Sequence, residues 1–494
     1  MTFTITTNQS VTTLNLPPEE SAVMQEVGKL LVGLPIPNNI EIEAADGSYA
    51  SFTVKARGSY VKDGERRPSM YVTCTHWGLC MSPSLYRDAY LTCVNSESNN
   101  YKYYWLRPQN VGGRTVTLQA TYGRIGSARG EAFGTKDLQT PYEPYLYWIR
   151  YYEKLSKGYV DQSDIYLSDS KPDDKQAPAD APKEEKAAEK TPSQILYETL
   201  LRDAKGVVET HLASRTVTTA QVKKGWEIWN TLGECETVDA FNEKLKALFS
   251  VSPRKVREIS SLLAVSEKDF KDIVEREENL LNAMAAVAGS VKQQHAASGP
   301  SFKDFGIHVY AATEKQREKV MAKLPPDLQR KVKTIYRVIP EEQKARFNAY
   351  LKDNGIKAVK EFWHGSRNEN WLNITKVGLK LNPNAVITAK MLGYGAYFAP
   401  DPHKSLNYTS LLGSYWAKGT SKHGFMGLFA TAYGNPWMIT QVRHYTQSEL
   451  KAAHKNCVHA RSGLNIGHTT LRNDEVVFYD EAAMLLNYIV EFVA

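Results

Sequence analysis

The chain has 494 residues, which exceeds what one hydrophobic core accommodates and predicts two to four domains. Hydrophobic residues make up 42% and charged residues 23%, which is ordinary for a soluble globular protein. No run approaches the roughly 18 apolar residues of a membrane span, and the net charge of +7 permits nucleic-acid binding without requiring it.

The first twenty residues lack the basic start and apolar stretch of a secretory signal, so the sequence predicts an intracellular protein. The location would be the nucleus in a eukaryote and the cytoplasm otherwise. The cysteines form neither CxxC pairs nor an even-numbered disulfide framework, which predicts reduced thiols and no metal site. They are Cys74, Cys80, Cys93, Cys235 and Cys457.

The N-terminal half divides into an uncharacterised region, 1–83, and a β-rich region, 84–167. Residues 51–54 of the first region are a possible strand, and we assign that region no function. In the second, residues 90–94, 101–106 and 115–121 are short aromatic or β-branched runs between turn residues, which predicts strands. Residues 140–157 predict a helix.

Residues 168–192 contain four prolines, alternating charge and no aromatic residue, which predicts a disordered linker. A helical region, 193–299, follows. Within it, Ser252-Pro253 predicts a helix start, because proline suits the first helical position, and residues 266–269 predict a second N-terminal cap. A Gly/Ser/Pro-containing stretch at 289–300 ends this region.

The last region, 300–494, mixes helix and strand, with buried strands predicted at 424–433 and 476–479. The predicted fold class is therefore a multidomain α+β protein. It combines a β-rich domain, an all-α helical bundle and a mixed α/β domain.

Four motifs carry the chemistry of this last region. They are FWHGSR at 362–367, GYGAYF at 393–398, KSLNY at 404–408 and NDEVVFYD at 473–480. Each motif alone is weak. In this order and at these separations they resemble the catalytic domain of the poly(ADP-ribose) polymerases, across roughly residues 300–494. The resemblance implies a pentosyltransferase that uses NAD⁺ as co-substrate and needs no metal.

The resemblance also implies how the nicotinamide is held. Tyr408 would stack on the ring, while the Gly365 backbone and Ser405 would hold the carboxamide, and Tyr397 would close the pocket. These residue types suit the task, because an aromatic ring is a platform for a flat ligand, and an amide and a hydroxyl can bind a carboxamide.

Further residues complete the implied site. His364 and Ser366 would bind the adenosine ribose, and Lys380 would stand where the family often has arginine, which loses a bidentate fork. Glu475 would bind the nicotinamide ribose, stabilise the transition state and polarise the acceptor. Cleavage of the nicotinamide–ribose bond develops positive charge on the sugar, as glycoside cleavage does, so a carboxylate is wanted there. The neighbouring Asp474 is the alternative carboxylate.

A second, fainter resemblance lies in the N-terminal half. Residues 99–104, 122–126 and 154–159 are similar to the WGR domain, although Tyr122 stands where the naming tryptophan would be. The resemblance implies DNA contact, with Arg124 and Lys102 suited to phosphate and Tyr122 to a sugar or base. Residues 85–165 carry ten Lys/Arg and eight Asp/Glu, which is modest support. A β-domain that binds protein, or no partner, remains the alternative.

By position and size, the helical region resembles the family's regulatory domain, which implies autoinhibition. The sequence thus predicts a DNA-stimulated poly(ADP-ribose) polymerase that modifies proteins, including itself. The alternatives are mono-ADP-ribosylation of protein or nucleic-acid ends, and a catalytically inactive scaffold that binds NAD⁺ or DNA. A secreted ADP-ribosylating toxin would need an export or translocation segment, and we find none in the sequence. An NAD-dependent dehydrogenase would need a GxGxxG motif after a strand, and the sequence shows none.

Overall fold

The structure is a computed structural model of the 494-residue chain. It describes residues 1–62, 65–81, 87–96, 99–110, 116–125, 136–138, 145–168, 190–213, 217–288, 301–381, 391–416, 418–439, 442–463, 465–466 and 469–494. The chain forms two compact units. The first comprises Met1–Pro172, Leu212–Ser214 and Leu245–Leu263, and the second comprises Asp173–His211, Arg215–Lys244 and Ala264–Ala494.

The first unit begins with an antiparallel sheet in the order β2-β1-β3-β4-β5, packed on helix α1. Its elements are β1 (Thr2–Thr7), β2 (Val11–Asn15), α1 (Glu20–Gly33), β3 (Asn38–Ala44), β4 (Tyr49–Lys62) and β5 (Glu65–Trp77). The predicted strand at 51–54 lies in β4. Buried and exposed residues alternate strictly along β3, so that one face of the sheet covers a core.

A second sheet in the first unit has the order β10-β6-β7-β8-β9. The elements here are β6 (Ala89–Asn95), β7 (Asn100–Asn110), β8 (Val116–Arg124), β9 (Lys136–Leu138), α2 (Tyr145–Ser156), β10 (Val160–Asp161) and α3 (Ser163–Tyr166). The strands predicted at 90–94 and 101–106 are confirmed, as is the described part of the third. Helix α2 packs on both sheets, because Ile149 enters the first core and Tyr147 the second.

The described part of the helical region contains four helices, with short 3₁₀ turns at Ile259–Leu262 and Glu267–Asp269; the helices are α4 (Pro192–His211), α5 (Thr219–Leu232), α6 (Val238–Val251) and α7 (Phe270–Val287). The cap at Ser266 is confirmed, since Ser266 and Asp269 form a capping box. Most of the predicted linker (169–189) and the stretch 289–300 lie outside the described residues, and Pro192 is already the first residue of α4.

The helix predicted to begin at Ser252-Pro253 is wrong. The Ser252 hydroxyl donates to the carbonyl of Leu248 at 2.8 Å, and the Ser252 amide donates to the same carbonyl at 2.8 Å. Ser252 therefore ends α6. Arg254 then forms a β-bridge with Leu212, so the chain is extended where we expected helix.

The C-terminal region contains a five-stranded sheet, β11-β12-β21-β15-β13, and a four-stranded sheet, β14-β20-β17-β16. Helices α8–α13 are Glu314–Met321, Pro326–Gln329, Glu341–Asp353, Trp371–Val377, Pro402–Leu406 and Gln447–Ala452. Strands β11–β15 are Ile307–Ala311, Val332–Pro340, Lys360–Gly365, Ala396–Phe398 and His423–Thr431. Strands β16–β21 are Pro436–Met438, Cys457–Ala460, Asn465–Ile466, Thr469–Thr470, Glu475–Phe478 and Met484–Val493.

The buried strands predicted in this region are confirmed as β15 and β20. The protein is thus a mixed α/β multidomain chain. Within the described ranges, no helix is long and apolar enough to cross a membrane, and no group of three or more His, Cys, Asp or Glu side chains is placed to bind a metal.

Candidate active site

The four motifs converge where the two C-terminal sheets meet. Strand β13 ends at Gly365, and Trp363 on β13 exchanges two backbone hydrogen bonds with Ala399, one residue beyond β14, at 3.0 and 3.1 Å. Strand β14 pairs with β20, so that Tyr397 on β14 lies opposite Val477 on β20. Helix α12 packs on β13. Residues far apart in sequence are therefore brought together by backbone pairing.

His364 is fixed by this pairing. Its Nδ1 lies 2.9 Å from the backbone oxygen of Tyr397. A carbonyl oxygen only accepts, so Nδ1 carries the proton and donates it. The contact ties the side chain of the FWHGSR motif to the backbone of the GYGAYF motif, and it sets the orientation of the imidazole ring.

Gly365 and Ser405 are in direct contact. The buried Ser405 hydroxyl donates to the Trp363 carbonyl at 3.0 Å, which leaves the Oγ atom of Ser405 able to accept a further hydrogen bond. A Cβ added at Gly365 would lie 1.7 Å from the Ser405 carbonyl oxygen. Position 365 therefore has room only for glycine, and α12 approaches the end of β13 at backbone distance.

The two candidate tyrosines differ in how they are held. The Tyr397 hydroxyl donates to the Gly393 carbonyl at 3.0 Å and accepts from the Leu392 amide at 2.9 Å, and burial raises its pKa well above the usual range. Tyr408 is 43% exposed. Desolvation of the phenol by neighbouring atoms, together with the nearby carboxylates of Glu475 and Glu275, raises the pKa of Tyr408 to about 12. Both phenols are therefore neutral at physiological pH.

Glu475 opens strand β20 and is 6% exposed. One carboxylate oxygen, Oε1, forms an ion pair with the ammonium group of Lys404 on α12. The other, Oε2, is buried and has no hydrogen-bond partner in the described part of the chain. Burying an unpaired charged oxygen is unfavourable, so this atom has the free capacity expected of a ligand contact.

Asp474, the alternative carboxylate, has no such capacity. Its Oδ2 lies 3.1 Å from Nε2 of His459, and its Oδ1 accepts from the Ser462 amide at 2.7 Å. Partial burial opposes ionisation of Asp474, but these hydrogen bonds together outweigh it and lower the pKa of the carboxyl group. The residue is therefore tied to the chain that follows β17.

Ser366 and Lys380 lie beside different partners. The Ser366 hydroxyl accepts from Asn370 Nδ2 at 2.9 Å. The Lys380 ammonium is half exposed and pairs with Glu481 at 2.8 Å. The described contacts thus connect Ser366 to its own loop and Lys380 to the turn after β20, and they do not join Lys380 to the other candidate residues.

Sequence reasoning missed two features of this site. Lys404 stands in the KSLNY motif beside Ser405, so its position was a signal, but its pairing with Glu475 depends on tertiary structure. Helix α7 also reaches the site: Asn370 Nδ2 donates to Asn279 at 2.9 Å, and Asn373 Nδ2 donates to Asn282 at 2.8 Å. Asparagine pairs across two helical regions leave no periodic pattern in sequence.

The candidate nucleic-acid residues lie on β7 and β8 of the first unit, where Lys102 is directly opposite Arg124. The Arg124 guanidinium donates to two oxygens of Asn99, at 2.7 and 2.9 Å, and to the backbone oxygen of Arg257 at 2.6 Å. Tyr122 is 41% exposed and stacks on Tyr104 with ring centroids 5.6 Å apart. Lys102 is exposed.

The family model described as the poly(ADP-ribose) polymerase catalytic domain matches residues 308–493. Putative poly [ADP-ribose] polymerase-like 100L of Invertebrate iridescent virus 6 is 25% identical over 168 residues, which cover 32% of this chain and 83% of the viral protein. Poly [ADP-ribose] polymerase 1 of Gallus gallus is 26% identical over 182 residues, covering 33% of this chain and 17% of its own.

A shorter segment is more similar. Poly [ADP-ribose] polymerase 2 of Zea mays is 49% identical over 75 residues, which cover 15% of this chain and 11% of the relative. The chain therefore spans most of the viral relative but less than a fifth of these cellular ones. Residues 308–493 thus match a poly(ADP-ribose) polymerase catalytic domain, and such a domain indicates ADP-ribosyltransferase activity.

Proposed function

We propose that this protein is an NAD⁺-dependent poly(ADP-ribose) polymerase that DNA stimulates. It attaches ADP-ribose to protein acceptors, including itself, and releases nicotinamide. The observation that carries the proposal is the Glu475 carboxylate, buried beside Tyr408, with Lys404 on one oxygen and no partner for the other.

The residues fit NAD⁺. Bound NAD⁺ supplies the ADP-ribosyl group and the nicotinamide leaving group. The exposed ring of Tyr408 offers a stacking face, while the backbone of Gly365 and the Ser405 oxygen can hold a carboxamide. The absence of a side chain at Gly365 lets the Ser405 backbone approach the end of β13, which brings the two groups together. His364, Ser366 and Lys380 are assigned to the adenosine side, and Tyr397 closes the pocket.

Glu475 acts as the catalytic carboxylate in this proposal. Its Oε2 accepts a hydrogen bond from the nicotinamide ribose and places negative charge where positive charge develops. Lys404 holds Oε1, which fixes the carboxylate plane and leaves Oε2 to the substrate. The neutral Tyr397 and Tyr408 phenols add no competing charge to the pocket.

DNA stimulation is proposed for the second sheet of the first unit, through Lys102, Tyr122 and Arg124. Lys102 is the simplest phosphate ligand of the three, because its ammonium is exposed on a regular strand. Arg124 already bonds Asn99 and Arg257. We therefore assign Arg124 to holding the turn beside the contact surface as well as to phosphate itself.

The helical region is proposed to restrain the catalytic domain. Asn279 and Asn282 on α7 bond Asn370 and Asn373, as described above. Helix α4 adds a further contact, because the Asp203 carboxylate lies 3.2 Å from Nε2 of His423 on β15. The negative charge of the Glu275 carboxylate on α7 contributes to raising the pKa of Tyr408. An acidic side chain near the stacking ring and polar contacts near Ser366 support a regulatory role at the NAD⁺ pocket.

The test is to incubate the protein with NAD⁺, with and without nicked DNA, and to record intact masses. We expect mass increments of ADP-ribose units on the protein, more of them with DNA. Single increments would favour mono-ADP-ribosylation. NAD⁺ binding without any product would favour the inactive scaffold.

A further inference from the structure

A cleft of about 570 Å³ lies at the start of β13, at the opposite end of this strand from His364 and Gly365. Its volume is in the range of small-molecule sites, about 300–1,000 Å³. At about 3.3 Å per residue, the backbone of Lys360, which lines the cleft, is about 13 Å from that of His364. The cleft is therefore a separate feature from the candidate active site.

Positive charge converges on this cleft from two walls. Lys319 lies on α8, Lys323 lies two residues after that helix ends, and Lys360 opens β13 on the other side. Among the described residues that line the cleft, Glu361 is the one carboxylate, so the three ammonium groups leave a charge of +2. A concave surface with an excess of one charge concentrates ligands of the opposite charge.

Glu361 holds two of these lysines in place. The Lys319 ammonium lies 3.0 Å from the Glu361 carboxylate, and the Lys323 ammonium lies 3.6 Å from it. The Asn487 side-chain amide donates to Oε1 of Glu361 at 3.4 Å, while its own oxygen accepts from Arg337 at 3.2 Å. The Glu361 side chain is mostly buried. These polar groups are therefore arranged before a ligand arrives, which lowers the entropy that binding costs.

Lys360 is held differently from the other two lysines. Its ammonium lies 3.9 Å from the centre of the Tyr433 ring, and no carboxylate of the described residues pairs with it. The side chain is exposed. Because a cation–π contact at an exposed site is weak, the Lys360 ammonium is available to an anion in the cleft.

Buried apolar residues also line the cleft. Phe362 and Ala430 are each 7% exposed, and Ala430 pairs with Glu361 between β15 and β13. The lining thus combines lysines, one carboxylate, an amide and an apolar wall. A small number of polar groups set on apolar walls is typical of sites that orient a small ligand.

We propose that this cleft binds a sugar phosphate, at a site separate from the NAD⁺ pocket. The phosphate lies against Lys360 and Lys323, and the sugar hydroxyls donate to Glu361. That carboxylate repels a bare anion but accepts hydrogen bonds from hydroxyl groups, so the ligand carries both phosphate and hydroxyls. A free sugar phosphate and the ribose phosphate units of an ADP-ribosylated chain share this chemistry. The transferase reaction proposed above does not use this cleft.

The test is calorimetry on the full chain with ribose 5-phosphate, inorganic phosphate and ribose, in the presence of a saturating non-hydrolysable NAD⁺ analogue. Ribose 5-phosphate should bind more tightly than either smaller probe. Lys360→Gln should weaken its binding about tenfold, because one charge-assisted hydrogen bond is lost. Lys357→Gln is the matched control and should have no effect, since Lys357 is exposed in the same stretch but does not line the cleft.

Glu361→Gln distinguishes a sugar phosphate site from a simple anion site. Inorganic phosphate should bind about threefold more tightly to this variant, because one repelling charge at about 6 Å in water is removed. The preference for ribose 5-phosphate over inorganic phosphate should fall about tenfold, because the hydroxyls lose a charged acceptor. Melting curves confirm that each variant is folded, and Lys323→Gln replaces Lys360→Gln if the latter is not.

Three results would overturn the proposal. They are wild-type affinity for ribose 5-phosphate in the folded lysine variant, an unchanged preference in Glu361→Gln, and loss of ribose 5-phosphate binding when the NAD⁺ analogue is added. The source of the ligand follows from a further titration with ADP-ribose under the same conditions. Tighter binding than ribose 5-phosphate supports ADP-ribosyl units, and weaker binding supports a free sugar phosphate.

Discussion

The candidate active site and the candidate DNA surface place similar residue types in opposite conditions. At the active site, Glu475 keeps a buried oxygen without a partner, and Ser405 keeps an acceptor lone pair after its hydroxyl has bonded Trp363. On the second sheet of the first unit, the Arg124 guanidinium is already bonded to Asn99 and Arg257, and Tyr122 already stacks on Tyr104.

The difference lies in unused hydrogen-bonding capacity. A polar group whose bonds are satisfied internally contributes to folding, and a ligand must displace those bonds before it gains any. A group left unsatisfied inside a folded chain has the opposite balance. The active-site residues therefore carry a stronger functional inference than Arg124 and Tyr122, although both sets come from resemblances to known domains.

The largest expected effect is at Glu475. Glu475→Gln keeps the shape and one acceptor oxygen but removes the charge, so the turnover rate should fall about 10²- to 10³-fold while NAD⁺ binding survives. Steady-state kinetics and binding to a non-hydrolysable NAD⁺ analogue check this. Tyr408→Ala should show the reverse pattern, with binding weakened first. Asp474→Asn is the matched control and should be mild; loss of turnover there with a normal Glu475→Gln would exclude Glu475 as the catalytic carboxylate.

The next effect concerns the contacts of helix α7. Replacing Asn279 and Asn282 on α7 with alanine removes their hydrogen bonds to Asn370 and Asn373. This double variant should bind the NAD⁺ analogue about tenfold more tightly, because two neutral hydrogen bonds contribute about 1–3 kcal/mol to the restrained state of the site. Calorimetry with the full chain measures it. The exposed Lys271→Ala on the same helix is the control. Affinity equal to wild type in a folded double variant would rule out restraint through these contacts.

A smaller effect separates Lys102 from Arg124. Lys102→Ala should reduce DNA-stimulated NAD⁺ turnover a few-fold without changing thermal stability, and the salt dependence of DNA binding should flatten by about one phosphate contact. Arg124→Ala should also lower the free energy of unfolding, by about 1–3 kcal/mol, because its partners lose three bonds. DNA titrations at several salt concentrations, with melting curves, distinguish the two. Stimulation untouched by both variants would remove DNA contact from this surface.

The smallest effect is a pH dependence at His423. The carboxylates of Asp203 and Glu491, the latter also paired with Lys333, raise the pKa of His423 from 6.5 to about 9. A raised pKa means that the stabilisation is complete below pH 6.5 and is lost as the pH rises through about 9. Unfolding midpoints of wild type and His423→Asn should therefore differ most at pH 6 and converge above pH 9. A constant difference across that range would contradict the assigned ion pairs.

Sequence patterns predicted the parts of the fold in which local and tertiary preferences agree. Strand β15 is a continuous apolar run and is buried on both faces, and the cap at Ser266 acts within four residues. The segment after Ser252 failed for the opposite reason. The hydroxyl could cap the following helix or bond backward to Leu248, and the extended pairing of Arg254 with Leu212 decides between them. No local pattern records that pairing.

The site shows the same division. The residues of the four motifs could be named from sequence, because each motif is a short run with a characteristic chemistry. The Lys404–Glu475 pair, the α7 contacts and the fold of residues 1–83 could not be named. Each depends on segments that are distant in sequence coming together in the folded chain.

Gly365 has a consequence for how mutational surveys of this protein should be interpreted. A saturation scan would report position 365 as intolerant of every substitution, alanine included, because the Ser405 carbonyl occupies the space a methyl group needs. Such a profile is commonly taken as the mark of a reacting residue. Here the cause is steric. A second substitution on α12 that moves Ser405 away would distinguish a steric cause from a role in the reaction. It should restore folding of a Gly365 variant without restoring its turnover.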